Sequence, residues 1–260
     1  MNESESNDDP QRIDQIVTQW SLLRLAHQPV DPQSPQARQA MLLKYRDAIR
    51  NYVTALLRGH ADADDLSQDV LLRLMRGDFG NADPSRGRFR DFLKFAVKNM
   101  VRNHWSQQQR RSSVSLEQLA GLDPQSEDDE STWTEEWRGQ LLQCTWQLLE
   151  DHEKSSPGCC YFTVLRLRTE DTTADSALLA ERLSQSMNKA WRADAVRQQL
   201  RRARLKFAQL LVEELASSLN SATPYEVEEE LVALGLFDFV RPFLPADWHE
   251  TGELRDQPNS

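Results

Sequence analysis

Three basic side chains are spaced so that one helix would carry them in a line. Lys94, Lys98 and Arg102 recur every four residues, and His104 and Trp105 follow closely. Lysine and arginine bind phosphate groups, while exposed aromatic and amide side chains stack on or hydrogen-bond to unpaired bases. This combination is typical of a helix that binds single-stranded DNA. An ordinary solvated basic face with Trp105 in the core would give the same pattern, and this segment alone leaves both interpretations open.

A second basic segment further along the chain has the pattern of a helix-turn-helix. A first helix is expected to end near Leu183, and a polar turn to follow over residues 184–188. The next helix has an apolar stripe that begins at Val196, with Arg197 and Arg201 on the other side. In a helix-turn-helix the second helix enters the major groove, where Arg and Gln make bidentate contacts with guanine and adenine. An amphipathic helix pair with an arginine-rich solvent face is the alternative, and the expected connection of ten residues is longer than a minimal turn.

Helical periodicity recurs along most of the chain and predicts an all-α protein. Strands are not expected, because glycine is scarce and no alternating apolar pattern persists. Serine, proline and acidic residues before Trp133 have the composition of a flexible linker. The expected organisation is a weakly structured segment at 1–35 with a short helix near 13–25, a helical domain at 36–112, an acidic linker at 113–132, a second helical domain at 133–215 and an acidic C-terminal extension at 216–260.

The formal net charge of −10 argues at first sight against a nucleic-acid partner. Salt screens charges beyond about 10 Å, however, so the local arrangement decides what a surface binds. Basic side chains concentrate at residues 88–111 and 189–206, while acidic side chains crowd the N-terminus, residues 123–136 and the region after 213. Two separate basic segments in an acidic chain are compatible with DNA binding.

Several sequence features favour a cytoplasmic protein that is not an enzyme. No apolar run approaches membrane-spanning length, and the N-terminus has neither the basic start nor the apolar core of a signal peptide. Three cysteines do not make a disulfide framework, and His152 with Cys159 and Cys160 gives only a faint zinc pattern. Neither a phosphate-binding glycine loop nor a nucleophile elbow occurs. We therefore expect no catalytic residue, no metal ion, no cofactor and no membrane partner.

The amino-acid sequences of these segments resemble those of one protein family. The string LLKYRDAIRNYV, followed by ADADDLSQDVLLRLM and FRDFLKFAVKNMVRNHWSQQQRR, resembles region 2 of the extracytoplasmic-function sigma factors of RNA polymerase. The later strings YFTVLRLR and AVRQQLRRARLKFAQLL are similar to region 4 of the same family. The resemblance covers residues 36–111 and 133–215, with a polar linker between them. The wording GRFRDFL and AVRQQLRRARLKFAQLLVEEL also resembles the subset common in planctomycete-type genomes.

The resemblance implies a role for each matching segment. The helix around residue 68 would bind the β′ clamp helices of core RNA polymerase through Asp65, Leu66, Gln68, Asp69, Leu72 and Arg73. The first basic segment would hold the melted minus-ten element through Lys94, Lys98, Asn99, Arg102, Asn103, His104 and Trp105. Region 4, which binds the polymerase β flap, would read the minus-thirty-five element through Arg192, Arg197, Gln198, Arg201 and Arg202. Asn103 and Ser106 depart from the usual aspartate and arginine, and we expect the free protein to bind DNA poorly.

Some alternatives remain open from the sequence. A helix-turn-helix repressor or activator that is not a polymerase subunit would explain the second basic segment but not the DDLSQDV and FLKFAVKN wording. Residues 223–226 form a capping box with proline at the first helical position, so an acidic helix should follow. That helix either folds back on Arg197 and Arg204 and restrains region 4, or is an added packing helix. Whether an anti-sigma factor or a kinase regulates the chain is also left open.

Overall fold

A computed structural model describes residues 19–28, 30–76, 87–111, 127–219, 222–244 and 248. No strand occurs among these residues, and the all-α prediction is confirmed. The helices are α1 (Gln19–Ala26), α2 (Ser34–Leu56), α3 (Ala63–Arg76), α4 (Phe89–Arg111), α5 (Glu127–Ser155), α6 (Tyr161–Glu170), α7 (Ser176–Met187), α8 (Ala193–Ser218), α9 (Pro224–Ala233) and α10 (Phe237–Val240), followed by a 3₁₀ turn at Arg241–Phe243. Within the described ranges, no helix combines the length and apolar character needed to cross a bilayer.

The chain divides into two compact units. The first unit comprises Met1–Ser115 with Ser217–Asn220, and the second comprises Leu116–Ala216 with Ser221–Ser260. Each unit has its own buried apolar residues, which for the first include Tyr45 and Leu93 and for the second Leu149 and Leu183. The division lies within the expected linker, most of which is outside the described residues.

An aromatic cluster holds the first unit together and includes the N-terminal helix. The ring of Trp20 on α1 packs edge-on against Phe89 of α4, with centroids 5.2 Å apart, and Tyr45 of α2 lies 5.3 Å from Phe89 on another side. The carbonyl of Ala26 at the end of α1 accepts hydrogen bonds from Ser34 Oγ and Arg38 Nε. Residues 34 and 35 of the segment expected to be weakly structured are the first residues of α2. The predicted short helix is found from residue 19 onward, and its expected first residues lie outside the described ones.

A tight turn joins α2 to α3. Arg58 and Gly59 both have positive φ values, 49° and 73°, which reverse the chain direction. The turn is closed by hydrogen bonds from the Gly59 backbone N–H to the Thr54 carbonyl and from the His60 N–H to the Leu57 carbonyl. These bonds fix the residues that precede α3 in space.

The second unit packs α5, α6, α7 and α8 around one core. Leu149, Val164, Leu183 and Val196 are fully buried there, one from each helix. The carboxylate of Asp175 begins α7 by accepting hydrogen bonds from the backbone N–H groups of residues 177 and 178. Helix α5 begins at Glu127, so the end of the linker expected at 113–132 is helical, and α8 extends beyond the expected domain end at 215.

The connection between α7 and α8 is shorter than predicted. Residues 184–187 continue α7 instead of forming a polar turn, and Ser184 Oγ donates to the Ala180 carbonyl within the helix. Asn188 ends the helix in the left-handed conformation, with φ 49° and ψ 39°. Ser184 Oγ also accepts a hydrogen bond from the Trp191 backbone N–H at 2.9 Å, which holds the residues before α8 close to α7.

The C-terminal extension forms α9 and α10 as an addition to the second unit. The predicted capping box is present, since Thr223 Oγ1 accepts from the Glu226 N–H and the Glu226 carboxylate accepts from the Thr223 N–H. Arg138 of α5 lies 3.5 Å from the Leu234 carbonyl. Glu230 is buried together with Val227 and Leu231 of α9, in contrast to the exposed Glu229 beside it.

Candidate functional site

One face of α3 exposes acidic, amide and apolar side chains to solvent. Asp65, Gln68, Asp69, Leu72 and Arg73 are all exposed, and their spacing places them on one side of the helix. Neither Asp65 nor Asp69 has an ion-pair partner in the described part of the chain, so both carboxylates are available to another molecule.

Leu66, which was expected on the same face, belongs to the core instead. It is only 6% exposed and lies on the side of α3 that carries Val70 and Leu74. Successive residues on an α-helix are about 100° apart, so Leu66 cannot share the direction of Asp65. In this structure Leu66 anchors α3 in the core, and its expected contact with a partner stays a prediction.

A polar cleft between α2 and α3 borders this face. It is lined by Arg46, Asp47, Arg50, Asp64, Ser67, Gln68 and Leu71. Arg46 pairs with Asp47 and Arg50 pairs with Asp64, each with a nitrogen–oxygen distance of 3.0 Å. All four side chains are largely exposed, and such pairs contribute less than about 1 kcal/mol to stability. The sequence analysis missed the two arginines, although their i, i+4 spacing on α2 was a usable signal.

The outer face of α4 carries cations and amides, as predicted. Arg102 and Asn103 are exposed, while Lys94, Lys98 and Asn99 are partly buried. Residue 95, which the sequence analysis did not assign, is a phenylalanine on the same face and is 65% exposed. The signal for Phe95 was its position outside the apolar stripe of α4, which runs through residues 89, 93, 96, 97 and 100.

The far end of α4 contacts the turn between α2 and α3. His104 Nε2 lies 3.0 Å from Asp62 Oδ2, and the Trp105 ring packs against the ring of His60 with centroids 5.4 Å apart. Trp105 is partly buried, and within the described ranges its indole nitrogen has no hydrogen-bond partner. The predicted base-stacking residue is thus held by its neighbours, and sequence periodicity gave no sign of the contacts with His60 and Asp62.

The second unit presents a separate basic surface. The five predicted DNA-binding residues of this unit are exposed: Arg192, Arg197, Gln198, Arg201 and Arg202. Val196 and Ala203 are fully buried on the opposite side of α8, which fixes the outward direction of the arginines. Arg204 is also exposed, so α9 does not cover the basic surface.

Cys159 and Cys160 directly precede α6, and His152 stacks on Tyr161 at the start of that helix. These side chains lack the properties of a metal site. Burial, with a smaller contribution from Glu153, raises the pKa of the Cys160 thiol to about 11, and burial also raises the pKa of Cys159. Both are protonated at neutral pH, and thiols in that state bind metals and attack electrophiles poorly. Burial, and secondly the charge of Lys206, lowers the pKa of His152, whose ring stacks on Tyr161. In the residues that the structure describes, no group of three or more such side chains could hold a metal ion.

Comparison with known protein families finds a match, which lies in the first unit. Residues 41–111, which include most of α2 and all of α3 and α4, match the family model described as Sigma-70 region 2. The match supports an RNA polymerase sigma factor family and a role in promoter recognition with RNA polymerase; that family is not one of enzymes. No curated protein and no solved structure matches the chain.

The lowered pKa of His152 predicts a pH-dependent stability that a substitution removes. In the unfolded chain the imidazole has its ordinary pKa near 6.5, so below that pH the unfolded state binds a proton that the folded state takes up only at lower pH. Stability therefore falls as the pH drops below this value, and the loss is complete once the folded group is protonated. We expect the urea midpoint of the wild type to fall more between pH 7.5 and 5.5 than that of His152→Gln. An equal fall of the urea midpoint in the two proteins would show that His152 does not cause the pH dependence.

Proposed function

We propose that this chain is a sigma factor of the extracytoplasmic-function type, which binds core RNA polymerase and directs promoter recognition, promoter melting and transcription initiation. The single observation that carries the proposal is the match of residues 41–111 to Sigma-70 region 2. The geometry of the first unit supports it, because α3 and α4 present two chemically different surfaces. One is acidic and apolar, and the other is basic and aromatic.

The exposed face of α3 is the proposed contact with core polymerase. Asp65 and Asp69 offer carboxylates beside the half-exposed Leu72, a combination that suits arginines and apolar side chains on the β′ clamp helices. The neighbouring cleft carries Arg46 and Arg50, which are already paired with aspartates. The cleft therefore places polar groups at the edge of the proposed contact surface but adds little net charge there. Such a surface gives specificity of docking more than raw affinity.

The outer face of α4 is the proposed contact with the melted minus-ten element. Holding an unstacked base costs a few kcal/mol, which stacking and phosphate contacts must offset. Arg102 provides a cation for phosphates, and Phe95 provides an exposed ring on which a base can stack. The partly buried Trp105 offers a second ring at the end of the helix.

The second unit is the proposed reader of the minus-thirty-five element and partner of the β flap. Its α7 and α8, with the short connection after Asn188, have the order of a helix-turn-helix, in which α8 would enter the major groove. Arg197, Gln198 and Arg201 are exposed on α8 and have the side chains that contact guanine and adenine edges. The resemblance to the planctomycete-type subset, the cytoplasmic location and control by an anti-sigma factor or kinase belong to the same proposal.

The alternative is a helix-turn-helix repressor or activator that acts without being a polymerase subunit. The arginines of α8 would serve such a protein equally well. The exposed acidic face of α3 and the match to Sigma-70 region 2 have no role in it, and they favour the sigma factor.

The proposed polymerase surface predicts a loss of core binding when its polar groups are removed. The double variant Gln68→Ala/Asp69→Ala should weaken binding to core RNA polymerase at least about tenfold, or about 1.4 kcal/mol, measured by fluorescence anisotropy of the labelled protein. The matched control is Gln147→Ala/Asp151→Ala, which removes an exposed amide and carboxylate from α5. If both variants bind core with wild-type affinity, the face of α3 is not the contact.

The proposed role of α8 predicts the loss of specific transcripts. Each bidentate arginine contact with a base contributes about 1–3 kcal/mol of discrimination, so Arg197→Ala/Arg201→Ala should reduce run-off transcripts from genomic fragments at least about tenfold. The charge-matched control is Lys154→Ala/Arg241→Ala, since both of these cations are exposed outside α8. Footprinting of duplex DNA by the protein alone, without binding to core or initiation, would support the repressor or activator instead.

The exposed ring of Phe95 predicts a defect in promoter melting. Base–aromatic stacking is worth about 1–3 kcal/mol per base, so Phe95→Ala should reduce the rate of open-complex formation about tenfold while core binding is unchanged. Permanganate reactivity of unpaired thymines measures opening. Phe239→Ala is the matched control, because that ring is 73% exposed on α10. Equal opening rates for the two variants would exclude Phe95 from strand capture.

A further inference from the structure

The turn between α2 and α3 brings a carboxylate to the end of α4. Asp62 Oδ2 lies 3.0 Å from His104 Nε2, and the two residues are far apart in sequence. A carboxylate only accepts hydrogen bonds, so His104 Nε2 carries the proton and donates it to Asp62. The bond fixes the direction of the His104 ring, on the segment of α4 proposed to hold the melted strand.

The backbone N–H of Asp62 also orients the ring of His60. The Asp62 backbone N–H lies 3.3 Å from His60 Nδ1 and donates a hydrogen bond to it. The Asp62 carboxylate is 3.7 Å from the same nitrogen, which is too far for a hydrogen bond. The His60 ring in turn packs edge-on against Trp105, with an interplanar angle of 68°. Among the residues that the structure describes, the indole nitrogen of Trp105 has no hydrogen-bond partner, and its ring contacts those of His60 and His104 with centroids 5.4 and 6.0 Å away.

The position of Asp62 at the start of α3 makes its side-chain bond unusual. The Asp62 carbonyl accepts from the Leu66 N–H, as the residue before a helix normally does. An aspartate at this position usually caps the helix with its carboxylate, but here the carboxylate is directed to His104. The side chains of Asp62 and His104 are 35% and 27% exposed, so the bond is partly screened by solvent and adds little to the stability of the fold.

We propose that Asp62 is a positioning residue for strand capture: its carboxylate holds His104, and its backbone holds His60 against Trp105, in the orientation in which the end of α4 receives unpaired bases. The inference rests on the proposed sigma-factor function. It adds the turn between α2 and α3 to the single-strand site as a rigid support, which the hydrogen bonds of Gly59 and His60 keep in place.

The test uses the full chain bound to core RNA polymerase on the fragment that the wild type transcribes most strongly. Asp62→Ala should form open complexes about tenfold more slowly, the size expected when one stacked base is lost, with unchanged affinity for core. Asp62→Asn should stay within about threefold of the wild type, because its amide oxygen still accepts from His104. Asp238→Ala is the control, since its carboxylate is exposed on α10.

Two further measurements separate positioning from a general loss of structure. The His104 ring, which the Asp62 carboxylate holds, packs against the Trp105 ring with centroids 6.0 Å apart. With 5-fluorotryptophan in the protein, the ¹⁹F resonance of Trp105, assigned with Trp105→Phe, should therefore move in Asp62→Ala and stay in place in Asp62→Asn. Adding His104→Ala to Asp62→Ala should cause little further loss, because both variants remove the same bond. If Asp62→Ala does not fold, His60→Ala is the second variant. His60 is exposed, and this substitution removes the ring that packs on Trp105, so promoter opening should slow by a similar factor.

The outcomes distinguish this inference from the function on which it rests. If the wild type with core gives no specific transcripts, the proposed function fails. If the wild type initiates but Asp62→Ala and His60→Ala both open promoters at its rate, the sigma-factor assignment stands and the positioning role is overturned. Additive losses from Asp62→Ala and His104→Ala would also overturn it.

Discussion

The burial of Phe89 at the start of α4 determines which side of that helix faces solvent. Its ring is completely buried and contacts the rings of Trp20, Tyr45 and Phe92. Burying a phenylalanine stabilises a fold by about 1.5–3 kcal/mol, and each aromatic pair adds about 0.5–1.5 kcal/mol. Because an α-helix has a regular turn of about 3.6 residues, fixing Phe89 inward also fixes the direction of residues from about two to about four turns later. The exposure of Phe95 and Arg102 follows from this one anchor.

The sequence predicts those parts of the structure that depend on local periodicity, and it misses those that depend on distant partners. The all-α fold and the inward stripe of α8 follow from apolar spacing. Leu66 belongs to the same motif as Asp65 but lies in the core, because neighbouring residues on a helix are separated by about 100°. The contact of Asp62 with His104 depends on how a turn approaches a helix, and no pattern within either segment encodes it. Ser184 was expected in a turn because serine is common in turns, yet it lies in α7, where its hydroxyl bonds to the Ala180 carbonyl.

Local charge explains how an acidic chain can present two basic surfaces. The net charge of −10 is a property of the whole sequence, but a ligand within about 10 Å responds to the side chains nearest to it. On α8 the exposed Arg197 and Arg201 stand above a buried apolar stripe, so their charges point away from the core. In the cleft between α2 and α3 the exposed Arg46 and Arg50 are instead paired with Asp47 and Asp64, so their charges are largely neutralised locally. The sequence alone does not distinguish these two uses of arginine.

The C-terminal extension shows how a charge argument fails when packing competes with it. Complementary charge would bring the acidic α9 onto the arginines of α8, yet Arg197 and Arg204 are exposed. Val227 and Leu231 of α9 are fully buried, and the carbonyl that ends this helix lies near Arg138 of α5. Burial of two such side chains contributes about 3–6 kcal/mol, whereas an exposed ion pair contributes less than about 1 kcal/mol. The apolar face therefore decides where α9 lies, and the extension supports α5 while α8 stays open to a partner.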